Sequence, residues 1–322
     1  MASLPAASPS SSTPPTPANP SAPSTAGGHS AGARPDLRRV GLFLAISLAV
    51  TTGLSLPIAL GVLPVALLGL VVPLAQLSPL VAALIVRRRG EPWWRSLALS
   101  VPSWPLLLVA VLGGAAAFAL VPFARVLIGV VAGVPLAADA ASLSALLLAV
   151  PMVLVMQAIF AIGEEAGWRG WLHTQLAPLG FWGSSLLIGA MWALWHLPIV
   201  LALGLAPREA IAYLGAILAV APLLGALREI SGTAWAAVVG HGLLNSVRVA
   251  IEQNVLGPLD PGTAWLLDLV SWALWIGVAW LVLRVGASLA PGAPRGLVPP
   301  GSPVAGGTTR PGQALPPRPR DA

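Results

Sequence analysis

The chain has no cysteine and no lysine among its 322 residues, and only 9% of its residues are charged. The absence of cysteine excludes disulfides, thiolate metal sites and a cysteine nucleophile. The charge content lies far below the roughly one-quarter that is usual in soluble domains. All 17 basic residues are arginines, and they are spread over tails and connections without the dense basic run of a nucleic-acid-binding protein. These shortages point to a membrane protein.

Apolar residues make up 57% of the chain, and most of them lie in runs near or above the ~20 residues that a helix needs to cross hydrocarbon. The strict alternation of a membrane barrel strand is missing. The sequence therefore predicts an all-α, polytopic membrane helix bundle with about eight transmembrane helices. The predicted spans are residues 40–61, 64–86, 104–123, 143–163, 183–203, 209–227, 233–251 and 264–285.

Composition divides the chain into five parts. Residues 1–38 and 288–322 are rich in Pro, Ser, Ala, Gly and Thr, which predicts a disordered N-terminal arm and a disordered C-terminal tail. Residues 39–142 hold the first transmembrane helices, residues 143–251 hold four spans with unusual polar groups, and residues 252–287 hold the last span.

The placement of arginines predicts the orientation. With eight spans, the arginine-bearing segments before the first span, between the second and third spans and after the last span all lie on one side. By the positive-inside rule that side is the cytoplasm. We therefore expect a multi-pass protein of the plasma membrane with both termini cytoplasmic. The arginines that carry this prediction are Arg34, Arg38, Arg39, Arg87, Arg88, Arg89, Arg95, Arg284 and Arg295.

Two adjacent glutamates, Glu164 and Glu165, follow the fourth apolar run, where we expect them near its cytoplasmic end. Placing an ionisable group inside a membrane bundle costs free energy, so such a residue is by default a candidate functional residue. Glu165 and Arg169 stand at i and i+4, so a helix-end ion pair is the structural alternative. That pair leaves Glu164 unexplained, because its i+4 neighbour is Trp168.

Imidazole and carboxamide groups occur inside two later spans. His196 lies within the fifth predicted span, while His241 and Asn245 project from one face of the seventh. Taken alone, His196 fits a packing role, and the pair His241 and Asn245 fits hydrogen bonding between helices. Together with the glutamates they favour one shared cavity. Glycines near these motifs would permit close helix approach, and nearby tryptophans would either wall the site or anchor at the interface. These residues are Gly163, Gly167, Gly170, Gly240, Gly242, Trp168, Trp171, Trp192 and Trp195.

This set of groups supports amide hydrolysis, which needs a base for water and donors for the oxyanion. Glu164 with His196 would activate the water, and His241 with Asn245 would hold the oxyanion. A zinc alternative uses Glu164, His196 and His241 as two histidines and a carboxylate with an open position. The residues leave Zn²⁺ and a metal-free scheme equally open. We expect His173 to lie near the cytoplasmic boundary, outside the site.

At these motifs the sequence resembles the CPBP family of intramembrane proteases, which includes CAAX prenyl endopeptidases and Abi-like bacteriocin-processing or immunity proteins. The family motifs are two glutamates followed after three residues by arginine and glycine, an aromatic residue four before histidine, and a histidine four before asparagine. The chain matches them in that order at Glu164, Glu165, Arg169 and Gly170, at Trp192 and His196, and at His241 and Asn245. Tryptophan stands at position 192, where phenylalanine is usual in the family.

The resemblance covers about residues 143–250 and implies that residues 143–251 are the catalytic core helices of an intramembrane endopeptidase. By this resemblance Glu164 activates the water with His196, His241 and Asn245 hold the oxyanion, and Glu165 and Arg169 support the site. Both a metalloprotease and a metal-free glutamate mechanism have been put forward for the family. The substrate would be a membrane-associated peptide or protein that enters from the membrane or the cytoplasmic side. The arginine-only, Gly- and Pro-rich composition is typical of a bacterium with a GC-rich genome. In such a cell we expect a peptide or protein precursor as the substrate and not a prenylated protein.

Two other classes of function fit the same residues. A non-catalytic membrane scaffold or immunity protein would use the motifs to hold helices together. An ion-coupled transporter would use Glu164 and the histidines as a proton relay. Replacing Glu164 by Gln separates these classes from a hydrolase, because only a hydrolase loses peptide cleavage.

Overall fold

The structure is a computed structural model that describes residues 34–137 and 139–289. The first described helix begins at Leu37 and the last ends at Leu289, so each extends two residues into a segment predicted to be disordered. Residues 34–36 of the predicted arm are described as non-helical chain, and the rest of the predicted disordered segments, 1–33 and 290–322, lies outside the described residues.

Helices account for nearly all of the described chain. The α-helices are α1 (Leu37–Ala59), α2 (Leu68–Gln76), α3 (Ser78–Val86), α4 (Trp93–Ser96), α5 (Trp104–Val131), α6 (Ala140–Glu165), α7 (His173–Leu176), α8 (Gly180–Ala202), α9 (Pro207–Ser231), α10 (Ala234–Leu243), α11 (Val249–Asn254) and α12 (Pro261–Leu289). Short 3₁₀ turns cover Val65–Leu67 and Ala177–Leu179, and two π-helical stretches, the first π segment (Ala166–Leu172) and the second π segment (Leu244–Arg248), continue α6 and α10.

Seven segments of the described chain are long and apolar enough to cross a membrane, which confirms an all-α polytopic bundle. The longest of them, Ala141–Ala202, has 62 residues. Within it Trp192 contacts Glu164, which lies 28 residues earlier, at 2.6 Å. A straight helix would separate them by about 42 Å, so the chain must reverse between them. This segment therefore contains two of the eight predicted spans, α6 and α8.

The predicted span 64–86 is broken at Leu77, between α2 and α3. Pro79 is the second residue of α3, and proline lacks the backbone N–H that would continue the hydrogen-bond ladder of the preceding helix. The break lies against α6. A Cβ atom at Gly163 would stand 2.4 Å from the Gln76 carbonyl oxygen, and one at Gly167 would stand 2.5 Å from Pro79 Cβ. Both glycines permit the close helix approach that the sequence predicts.

The connections gather at two ends of the bundle, which we name by their composition and position. The arginine end holds connections 87–103, 177–179 and 232–233, where Ala234 N donates to Ala98 O at 2.8 Å. The opposite end holds connections 60–67, 132–137, 203–206 and 255–260, where Gly257 N donates to Pro135 O at 2.8 Å. The two ends differ in charge and in access to the interior, as described below.

Candidate active site

Glu164 is held by two hydrogen bonds deep within the bundle, with 1% of its surface exposed. Gln76 Nε2 donates to its Oε1 at 2.9 Å, and Trp192 Nε1 donates to its Oε2 at 2.6 Å. Both donors come from other helices, α2 and α8, and both are buried. With one donor on each oxygen, the carboxylate has a fixed position and orientation.

Glu165 makes a different set of contacts. Its Oε1 accepts from Arg169 NH1 at 2.9 Å and from His241 Nδ1 at 2.8 Å. The predicted pair of Glu165 with Arg169 is therefore present, and it also fixes a histidine on α10. The Arg169 guanidinium lies over the Trp192 ring, 4.3 Å from its centroid. The pair thus touches the residue that holds Glu164.

The two glutamates are the last residues of α6, and both are buried within the bundle. Although α6 ends at Glu165, helical backbone continues through the first π segment and α7 to Leu176. Eleven residues of helix correspond to about 17 Å. Gly170 allows this extension to pack tightly, because a Cβ atom there would stand 2.3 Å from Leu97 O. π-helical turns inside α-helices are frequent at functional sites.

His196 on α8 presents a defined tautomer. Its Nδ1 lies 2.9 Å from the backbone oxygen of Trp192. A carbonyl oxygen only accepts, so Nδ1 carries the hydrogen, and in the neutral ring Nε2 has the free lone pair. The ring packs edge-on against Trp195 and Tyr213, with centroids 4.7 Å and 5.7 Å away. His196 can therefore accept a proton through Nε2.

His241 and Asn245 lie on α10 and the second π segment that continues it. Because His241 Nδ1 contacts Glu165, the other ring nitrogen, Nε2, is left for contacts on the cavity side. Asn245 is half-buried and, like His241, lines the cavity described next. An amide N–H and, in a doubly protonated ring, an imidazole N–H are both donors.

A cavity of about 720 Å³ brings these groups together. Its size lies within the range of small-molecule and cofactor pockets, ~300–1,000 Å³. The predicted catalytic residues Glu164, His196, His241 and Asn245 all line it. Gln76, Trp192, Trp195 and Tyr213 line it as well. Glu165 and Arg169 stand behind this wall, in contact with His241 and Trp192.

The predicted tryptophans divide between two roles. Trp192 and Trp195 wall the cavity. Trp168 and Trp171 pack against Phe43 of α1, with ring centroids 5.2 Å and 5.1 Å away, and are at most 3% exposed. Neither pair is placed as an anchor at a membrane interface would be.

His173 lies outside the cavity, as expected. It contacts Glu229 near the end of α9, at the arginine end of the bundle. The adjacent Arg228 donates from Nε to the Arg169 carbonyl oxygen at 3.1 Å. These contacts join α7 to α9 beside the site without reaching the cavity.

Sequence reasoning missed two features of the cavity wall. Gln76 is a single polar residue within an apolar run, which gave no signal beyond its isolation. The second feature is a cluster in which Arg125 NH1 lies 3.0 Å from Asp268 Oδ1 and Arg208 contacts the same carboxylate. Opposite charges isolated in separate apolar segments are the signal by which sequence reasoning could have found this pairing.

The side chains of the zinc alternative are not gathered as a ligand set in the described residues. Among them, no group of three or more His, Cys, Asp or Glu side chains lies close enough to hold a metal ion. Both oxygens of Glu164 already accept hydrogen bonds, and His241 Nδ1 contacts Glu165. The set Glu164, His196 and His241 is therefore arranged as hydrogen-bonded groups around a cavity, and we derive no step through a metal.

The segment that carries all of these motifs matches a known family. Residues 145–247 match the family model described as type II CAAX prenyl endopeptidase Rce1-like. The CPBP resemblance is thereby confirmed. The match supports a CAAX-type intramembrane protease in general, in an integral membrane protein. Comparison with curated proteins gave no match.

Proposed function

We propose that this protein is an intramembrane endopeptidase that hydrolyses a peptide bond of a membrane-associated peptide or protein. One observation carries the proposal: a buried, doubly hydrogen-bonded carboxylate, two imidazoles and a carboxamide, which come from three membrane spans, line the same cavity. These are the groups that amide hydrolysis requires. The family match to CAAX-type proteases supports the same class of reaction.

In this mechanism Glu164 and His196 activate a water molecule. The water donates its hydrogen bonds to a Glu164 oxygen and to His196 Nε2, and its oxygen attacks the carbonyl carbon of the substrate. One proton passes to this pair of groups as the C–O bond forms. The same pair later returns the proton to the leaving amine nitrogen as the C–N bond breaks, so the catalyst ends unchanged.

The negative charge that develops on the carbonyl oxygen is met by donors on α10 and the second π segment. Asn245 donates through its side-chain amide, and His241 donates through Nε2 when the ring carries both protons. Removing one donor from the place where this charge develops lowers kcat by about 10²–10³-fold. Glu165 supports this role because it accepts from His241 Nδ1 and so fixes the ring orientation.

Glu165 and Arg169 act as positioning residues. Glu165 fixes His241, and the Arg169 guanidinium covers the Trp192 ring whose indole holds Glu164. The pair therefore couples the oxyanion donors to the carboxylate that activates water. Its own groups lie behind the cavity wall and do not touch the substrate.

The test is cleavage of a quenched peptide library by the protein purified in detergent. Glu164→Gln keeps the shape of the side chain but removes the base, so cleavage is expected to fall by about 10²–10⁴. Glu229→Gln is the matched control, because Glu229 also contacts a histidine but lies outside the cavity. Zinc content and the effect of a chelator are measured on the same preparation.

Retention of cleavage by Glu164→Gln would refute the proposal. A wild-type protein that cleaves no peptide but drives ion-coupled uptake into vesicles would support the transporter class. A protein that does neither, and whose partner binding survives Glu164→Gln, would support the scaffold class.

A further inference from the structure

The described residues that line the cavity are exposed only at one end of the bundle, which we take as its mouth. Its exposed lining residues, Gly69, Glu209, Tyr213 and Gln253, belong to the start of α2, the first two turns of α9 and the end of α11. All of these elements lie at the opposite end, away from the arginine end. From this mouth the lining continues inward to Glu164.

Toward the arginine end the cavity is closed. Residues 163–172, which carry the glutamates and the first π segment, are all buried. Gly170 packs directly on Leu97 of the connection between α4 and α5. No lining residue comes from the described connections 87–103, 177–179 or 232–233. The wall behind Glu164 therefore separates the cavity from that face of the bundle.

The two ends carry different charge. At the arginine end, Arg88 and Arg89 are exposed in the connection after α3. At the opposite end, each arginine contacts a carboxylate: Arg125 and Arg208 contact Asp268, and Arg248 NH1 lies 2.8 Å from Glu252 Oε2. Arginines in short connections remain preferentially in the cytoplasm. The charge distribution thus indicates that the arginine end is cytoplasmic.

We infer that the cavity takes its substrate from the extracytoplasmic side of the membrane. This inference requires that the cavity is closed toward the arginine end and has its mouth at the opposite end. It also rests on the proposed function, because only an endopeptidase has a peptide substrate to admit. Sequence analysis alone predicts access from the membrane or the cytoplasmic side. The substrate class is a membrane-anchored or exported precursor whose cleaved segment enters the cavity from the outer face. A lipid-modified tail on a cytoplasmic protein does not reach this mouth.

The cysteine-free chain permits a direct test, because each introduced cysteine is unique. Ala177 and Ala206 form a matched pair: both are exposed, both precede a proline, and they lie beyond opposite ends of α8. Ala177→Cys and Ala206→Cys, each in the full chain, are treated with a membrane-impermeant maleimide in intact bacterial cells and again after permeabilisation. We expect Ala206→Cys to label in intact cells and Ala177→Cys to label only after permeabilisation.

A second pair of variants tests the connection between the cavity and that face. Ala212→Cys lines the cavity and is expected to label in intact cells, more slowly than Ala206→Cys. Ala219→Cys lies on the same helix but is 5% exposed and outside the cavity lining, so it is expected to remain unlabelled while the protein is folded. The melting temperature of each variant checks that it is folded.

Labelling of Ala177→Cys in intact cells, or of Ala206→Cys only after permeabilisation, would overturn the inference. So would labelling of Ala212→Cys only after permeabilisation while Ala206→Cys labels in intact cells. Labelling needs no turnover, so its result is independent of the cleavage assay. Reversed labelling together with Glu164-dependent cleavage would retain the endopeptidase and move its substrate to the cytoplasm.

Discussion

Trp192 offers a sharp test of how the proposed catalytic carboxylate is held. It occupies the position where the CPBP family usually has phenylalanine, and its indole Nε1 donates to Glu164 Oε2 at 2.6 Å. Phenylalanine keeps an aromatic ring at this position but has no N–H to donate. We therefore predict that Trp192→Phe, although it restores the usual residue of the family, lowers peptide cleavage.

The size of the loss follows from the charge and burial of the two partners. A hydrogen bond to a charged group contributes about 1.5–3 kcal/mol. Trp192 and Glu164 are each 1% exposed, so bulk water does not replace the missing donor. If the lost energy appears in the transition state, kcat falls by about 10- to 150-fold. KM is expected to change little, because the indole N–H is directed to Glu164.

Trp195→Phe is a matched control on the same helix. Trp195 is 0% exposed and lines the same cavity, but its indole donates to the neutral hydroxyl of Ser78 at 3.0 Å. Both substitutions remove the same volume from the core, so similar decreases in melting temperature are expected. Only Trp192→Phe removes a donor from Glu164, and kcat should therefore fall further in that variant than in Trp195→Phe.

The assay combines kcat and KM on a peptide found in the library screen with thermal melting in detergent. Unchanged kcat in Trp192→Phe would refute the view that the indole positions the carboxylate. An equal fall in both variants, together with equal loss of melting temperature, would assign the effect to packing.

Two further substitutions test the supports of the site. Glu165→Gln leaves Arg169 buried without its carboxylate and is expected to reduce the free energy of unfolding by about 3–5 kcal/mol, as measured by denaturation in detergent; a change below about 1 kcal/mol, the value of an exposed pair, would contradict this. Gly163→Ala places a Cβ atom 2.4 Å from Gln76 O, so it is expected to cost about 1–3 kcal/mol and to lower cleavage by displacing Gln76. Gly113→Ala on α5, with open space at the new Cβ, is the control that should retain both stability and cleavage.

The helical architecture was predictable because the hydrocarbon thickness dictates the length of an apolar run. Local departures from straight helices were not predictable. The break at Leu77 follows from proline chemistry, but prolines inside other helices of this chain, such as Pro57 and Pro151, cause no such break. The first π segment depends on tertiary contacts such as that of Gly170 with Leu97, which hydropathy does not encode.

The different contacts of Glu164 and Glu165 were partly predictable. Adjacent residues on a helix are about 100° apart, so the two carboxylates cannot face the same group. The i,i+4 relation identified Glu165 as the partner of Arg169 and left Glu164 for another role, which agrees with the observed contacts. The contact of Glu165 with His241 required the positions of two helices that are 76 residues apart in sequence, and local spacing contains no such information.

Gln76 shows how the proposed site extends beyond the matched segment. The family model begins at residue 145, yet one of the two donors to Glu164 comes from α2. That contact depends on the absence of a side chain at Gly163, which allows α6 to approach the break between α2 and α3. Gly163 therefore has a role beyond close packing, because it allows the Gln76 carboxamide to reach the Glu164 carboxylate. The N-terminal helices, which lack the family motifs, are therefore part of the machinery that holds Glu164.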